Sequence, residues 1–263
     1  MNHILEKICY QKKITLEKEK EKCSFKNLEK LFIDKNNRNF KKLLIDSQQY
    51  KKNNIIAEIK KASPSAGIIV KNYIPENIVI EYEQSGVGAI SILTEENFFK
   101  GHIDNMSLIH KHCNLPILRK DFIIDSYQIL QSKIYNADAI LLIVSILSDN
   151  QIIEFIEIAN NYGLDCLIET HTHSELERAI NINYPIIGIN NRNLKTLNIN
   201  DNTTLKLIRD IPENFTVVAE SGINNNQQIE KYNEAGIFNF LIGESLLTAK
   251  NKKNKVKELI KND

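Results

Sequence analysis

No C-x-x-C pair occurs in this chain, and its four cysteines, Cys9, Cys23, Cys113 and Cys166, lie far apart. That scatter argues against a disulfide framework or a structural zinc site and fits reduced thiols in a cytoplasm. Charge of one sign is missing too: 34 Lys+Arg against 33 Asp+Glu leave a formal net charge of +1. Such a balance offers no bulk attraction to nucleic acid or to an anionic membrane surface. Long hydrophobic runs are absent, the longest being Ala139 to Leu147, the length of a buried strand and its exit. The N-terminal MNHILEKICYQKK lacks a signal-peptide core. A cytoplasmic protein with no membrane segment is expected.

Residues 1–52 contain neither glycine nor proline and are rich in Lys and Glu. Apolar residues fall there at helical spacing (Ile4, Ile8; Leu28, Leu31, Phe32), which predicts two or three amphipathic helices docked on a main body. Beyond Ile55, short apolar runs alternate with amphipathic stretches. The expected strands are Ile55–Ile59, Ala89–Leu93, Pro116–Arg119, Ala139–Val144, Cys166–Ile168, Ile186–Ile189, Thr216–Ala219 and Phe240–Ile242. Helical patterns between them cover Pro75–Ser85, Ser126–Tyr135, Asp149–Tyr162, His173–Ile180, Thr203–Ile211 and Asn225–Ala235, with Gly86, Gly163 and Gly236 placed as left-handed caps. Eight strand–helix units predict a (β/α)8 TIM barrel over residues 53–263, preceded by an N-terminal helical extension, 1–52. An open doubly wound sheet is the competitor. No G-x-G-x-x-G follows the first strand and no G-x-x-x-x-G-K-[ST] occurs, which favours the barrel.

A barrel collects its chemistry at the C-terminal strand ends. There the sequence places Glu58, Lys60 and Ser63; Thr94, Glu95 and Glu96; Lys120; Glu169 and His171; Asn190 and Arg192; Glu220, Ser221 and Gly222; and Gly243 and Glu244. Lys60, Lys120, Glu169, Asn190 and Glu220 stand within or just after apolar runs, so they are expected to point into the mouth. Glu58 and Lys60, two apart, project from one face. Crowding Lys60 with Lys120 in a dry mouth predicts that one lysine pKa falls towards neutrality. AESGI and LIGES bring Gly beside Ser or Glu at the last two strand ends, where barrels commonly hold phosphate on backbone amides. His171, His173, His102, His110 and His112 have no third partner at metal spacing and are assigned to surface or packing roles; no metal is expected.

The strings IIAEIKKASPSAG, ISILTEENFFKGH, LPILRKDFIID, LIETHTHSELERA, IIGINNRNLKT, VVAESGI and FLIGESLL together resemble the indole-3-glycerol-phosphate synthase family. The resemblance runs from about Arg38 to Leu247, in order, across all eight strands, and an N-terminal helical extension is also similar to that family. It implies a lyase of tryptophan biosynthesis that closes a ring, decarboxylates and dehydrates 1-(2-carboxyphenylamino)-1-deoxyribulose 5-phosphate. It implies Lys120 as the acid at the ketone oxygen and Glu169 as a proton-handling carboxylate in the dehydration. Glu58 and Lys60 are implied as a pair contacting the substrate carboxylate, Asn190 and Arg192 as substrate positioners, and Glu220 as a further active-site carboxylate. Ser63, Ser221, Gly222, Gly243 and Glu244 match positions holding ligand and phosphate, Glu244 through its backbone amide. The division of labour among Glu58, Lys60, Lys120 and Glu169 stays open. No cofactor, no second fused enzyme and a monomer are expected, with the phosphorylated substrate as the only partner. The competing readings are a Schiff-base barrel using Lys120 or Lys60 as nucleophile, and a barrel that only binds a phosphorylated sugar.

Overall fold

The computed structural model describes residues 4–34, 37–194 and 196–260; residues 1–3 and 35–36 of the expected extension, and 195 and 261–263 of the expected barrel, lie outside them. Three helices precede the first strand: α1 (Ile4–Lys22), α2 (Phe25–Glu29) and α3 (Phe40–Gln49). α1 buries Ile8, Lys12 and Leu16, one stripe at a spacing of four. Ile8 joins Phe40 and Leu44 of α3 in the main core, while Leu16 and Leu28 pack with Tyr127 and Leu130 in a smaller cluster. Leu31 falls beyond α2 and is exposed.

Eight strands follow: β1 (Asn54–Ile59), β2 (Ala89–Leu93), β3 (Ile117–Lys120), β4 (Ala139–Ile143), β5 (Asp165–Thr170), β6 (Ile186–Asn190), β7 (Thr216–Glu220) and β8 (Asn239–Ile242). All pair in parallel, and β1 pairs with both β2 and β8 to close the ring, giving the (β/α)8 barrel expected from the sequence. Around it run α4 (Pro75–Ser85), α5 (Asp104–His110), α6 (Ser126–Ile134), α7 (Asp149–Asn161), α8 (His173–Ile182), α9 (Asn202–Leu207), α10 (Asn226–Glu234), α11 (Glu244–Leu247) and α12 (Lys252–Leu259). The helix expected near His110 is α5, the one expected after the last strand is divided into α11 and α12, and α9 gives way to a 3-10 turn over Ile208–Asp210. The expected caps are found, with φ of 86° at Gly86, 64° at Gly163 and 84° at Gly236.

The strands are buried on both faces because helices cover the outside and side chains fill the inside. Every residue of β1, β2, β4, β6, β7 and β8 is buried. After β1 the chain makes a small antiparallel pair, Ala62–Ser63 with Gly67–Ile68, so the Pro64–Ser65 turn overhangs the barrel mouth. Among the described residues, no helix is long and apolar enough to cross a membrane.

Candidate active site

The ladder runs through the polar residues and does not stop before them. Lys120 is in register with Leu93, Glu169 with Ile143, and Asn190 with Glu220. These side chains are therefore held by sheet hydrogen bonds, not by mobile loops. They open into a recess at the C-terminal ends of the strands. Glu58, Lys60, Ser63, Lys120, Glu169, Asn190, Arg192, Glu220, Ser221 and Gly243 line it. Gly222 and Glu244 do not: Gly222 lies under the 199–201 segment, and Glu244 is exposed at the start of α11. A Cβ at Gly222, where φ is 83°, would stand 2.5 Å from Asp201 Oδ1.

Lys120 Nζ lies 2.7 Å from Glu169 Oε2 and 3.4 Å from Glu220 Oε2. Burial disfavours the ammonium, but Glu169, Glu220 and Glu58 outweigh it and hold the Lys120 pKa above its ordinary value. The expectation of a lysine driven towards neutrality is overturned at Lys120, because three carboxylates surround it where the sequence reading counted a neighbouring cation. The two carboxylates are driven apart. At Glu169 burial is outweighed by Lys120 and His171, and the carboxyl is held below its usual range. At Glu220 burial and then repulsion from Glu169 raise the pKa to about 8. Both oxygens of Glu220 are buried and make no in-line hydrogen bond with the protein. The surroundings thus favour an ionised Glu169 beside a protonated Glu220 at the same pH.

Across the mouth Lys60 pairs with Glu58, as expected for residues two apart near a strand end. Two glycines make room for these groups. A Cβ at Gly188 would collide with Glu220 Oε1, and one at Gly243 would collide with Glu58 Oε1 and lie 3.1 Å from Lys60 Nζ. Arg192 Nη1 donates to Ser65 Oγ at 3.1 Å and to the Leu197 carbonyl at 3.0 Å, tying the first βα-loop to the sixth. Ile4, Leu5 and Ile8 of α1, with Phe99, Phe122, Leu141 and Leu241, give the same recess its apolar lining.

A further layer lies behind Lys120. Asp121 accepts from Lys12 at 2.7 Å, from Arg119 at 3.1 Å and from Thr94 at 2.6 Å. Burial is outweighed by Lys12 and Arg119, which hold its carboxyl well below the usual range. Glu95 is occupied by the amides of Asn97, Phe98 and Phe99. His171, assigned from sequence to surface or packing, instead sits 3.1 Å from Glu169 Oε1 and 3.1 Å from Glu175 Oε2. The i, i+4 spacing of His171 and Glu175 across a helix start was the signal for it.

A model of the indole-3-glycerol phosphate synthase family matches residues 5–259. The chain belongs to that family. The indole-3-glycerol phosphate synthase of Acetivibrio thermocellus is 49% identical over 204 residues, 78% of this chain and 78% of that one. Its counterpart in Endomicrobium trichonymphae is 41% identical over 259 residues, 97% and 99% of the two chains. Among solved structures, 3-hexulose-6-phosphate synthase from Salmonella typhimurium covers 78% of this chain and 96% of its own, with a TM-score of 0.63 at 9% identity. KGPDC from Streptococcus mutans covers 79% and 95%, with a TM-score of 0.62 at 10% identity. At such identities the likeness speaks for the barrel alone; membership of the synthase family rests on the family match and the sequence relatives.

Proposed function

We propose that this synthase works at the mouth just described, converting 1-(2-carboxyphenylamino)-1-deoxyribulose 5-phosphate to indole-3-glycerol phosphate, carbon dioxide and water. The observation that carries the reading is Lys120 held at 2.7 Å from Glu169 and 3.4 Å from Glu220 inside the recess. The aromatic carbon is a poor nucleophile, so ring closure needs an acid at the ketone oxygen. Lys120 supplies that proton. The substrate carboxylate departs as carbon dioxide, leaving its bonding electrons on the ring. The nitrogen lone pair, acting through the aromatic ring, then expels the former ketone oxygen as hydroxide, and Glu169 takes a proton from the CH2 carbon beside the nitrogen to complete the indole double bond. Glu220, neutral below about pH 8, protonates that leaving oxygen. With the carboxylate ionised at the outset, one proton from the medium ends in the released water.

Lys60, with Glu58, is assigned to the substrate carboxylate, and Asn190 and Arg192 to orientation. The apolar lining suits the aromatic ring. Ser63, Ser221, Gly222, Gly243 and the Glu244 amide are assigned to the ligand and its phosphate. A cytoplasmic monomer that needs no cofactor is part of the same reading, as is a single domain of barrel plus extension. The Schiff-base alternative requires an uncharged lysine, and the carboxylates around Lys120 favour the opposite state.

Incubation of the purified protein with the carboxyphenylamino substrate should give rising indole fluorescence. Lys120→Ala should lose the signal while keeping the circular-dichroism spectrum of the parent, and borohydride should trap no adduct. A Lys120→Ala protein of undiminished rate would end the reading.

A further inference from the structure

Two buried carboxylates beside one ammonium pose a question of symmetry. Lys120 donates to Glu169 at 2.7 Å and stands 3.4 Å from Glu220, so it leans towards charge on Glu169 without being exclusive to it. His171 touches one of them. It follows β5 directly and precedes Thr172, the N-cap of α8, whose hydroxyl accepts from Glu175 N–H. Glu175 Oε2 accepts from the His171 backbone N–H at 2.8 Å and faces the ring Nδ1 at 3.1 Å. On the inner side Nε2 makes an ion-pair contact with Glu169 Oε1 at 3.1 Å, off the line of a hydrogen bond. The ring is 7% exposed and the outer carboxylate 17%.

The ring is held as a cation by its surroundings. Burial opposes the charge, but Glu169 and Glu175 outweigh it and raise the pKa to about 9. Beyond Glu169 stand Glu220 on β7 and Lys120 on β3. The Val144–Ile146 turn packed on α8 brings no titratable side chain. His173 turns away to Glu177 and Asp210.

We propose that His171 is the positioning residue that gives the two carboxylates their separate roles: its imidazolium, backed by Glu175, keeps Glu169 as the base and so leaves Glu220 as the proton holder. Glu169 is then braced from both sides, Oε1 by the ring and Oε2 by Lys120. Like charges this close cannot both ionise readily, and a second cation in contact with only one of them strengthens the preference that Lys120 begins. The proposal rests on the reading of Glu169 as a working carboxylate.

His171→Gln retains a neutral donor of similar reach and removes the charge. Followed by indole fluorescence, it should lower kcat about tenfold near neutral pH with little change in KM. Both limbs of its kcat/KM profile should move up, the acid limb by about one pH unit, because the lost cation had lowered the pKa of Glu169 and, more weakly, of Glu220. Glu175→Gln keeps the bond to the backbone N–H but removes the outer charge, so the ring loses its proton at lower pH and the alkaline limb alone should move down. Parent-like limbs in His171→Gln overturn the proposal; if that variant does not fold, an unmoved alkaline limb in Glu175→Gln does so. Glu169→Gln, run alongside, separates the two readings. Full activity there sinks the role of Glu169 itself, whereas an inactive Glu169→Gln beside an unshifted His171→Gln sinks only the role of His171.

Discussion

Lys12 Nζ, carried on the first helix, lies 2.7 Å from Asp121 Oδ1 in the barrel mouth, and neither side chain is more than 9% exposed. Asp121 sits between Lys120 and Phe122, both in the wall of the recess. The N-terminal extension is therefore fixed to the strand end that carries the proposed acid, and its apolar residues are set over the mouth by the same tie.

Without Lys12, Asp121 keeps Arg119 and Thr94 as partners and loses one charged hydrogen bond. Lys12→Met should therefore lower the unfolding free energy by about 1.5–3 kcal/mol, read from the urea midpoint. Asp121 has a depressed pKa in the fold, so its contribution is present above the unfolded carboxylate pKa of about 3.9 and is lost as pH falls through the folded value. Acid unfolding should accordingly begin at higher pH in Lys12→Met than in the parent.

Glu220 has the opposite linkage. Its folded pKa, raised to about 8, lies above that of the unfolded chain, so stability falls as pH rises between the two. Glu220→Gln mimics the neutral form and cannot give up a proton. It should melt at a higher temperature than the parent at pH 8, and its kcat should drop about 10² to 10⁴-fold. A variant that loses activity without gaining thermal stability would contradict the assignment of a buried neutral acid.

Gly243→Ala tests a close approach. The added methyl would meet Glu58 and Lys60 at once, and these are the ends of side chains that can move away. The fold should survive while the pair loses its place, giving a raised KM and a near-parent unfolding curve. An unchanged KM would show that the pair does not meet the substrate.

Much of this was legible in the sequence because buried parallel strands are apolar runs, and all eight runs stand in their places. Their C-terminal limits were not. Ending the expected strands at or just past their last apolar residue left Lys120, Glu169, Asn190 and Glu220 outside, whereas the ladder includes them. Polar residues at the other rim were equally invisible. Asn54 Nδ2 donates to Asn239 Oδ1 at 3.0 Å inside the β1–β8 seam, and neither Asn reads as strand on propensity. Helix α5 is only seven residues long and carries too little periodicity for its bounds to be read. Lys12 was one lysine among many, although its place between Ile8 and Leu16 marked it as inward. The behaviour of Lys120 required knowing which of the carboxylates surround it, and spacing alone does not say.

The seam between β1 and β8 also orders the making of the molecule. Asn54 pairs with Asn239, a ladder spanning nearly the whole barrel sequence and so closing the longest loop. On the ribosome, Glu58 and Lys60 emerge early, yet the glycine against which they nest is among the last barrel residues to be synthesised. Half of the mouth must wait for the other end of the chain, and a nascent barrel arrested before Gly243 can fold no working site.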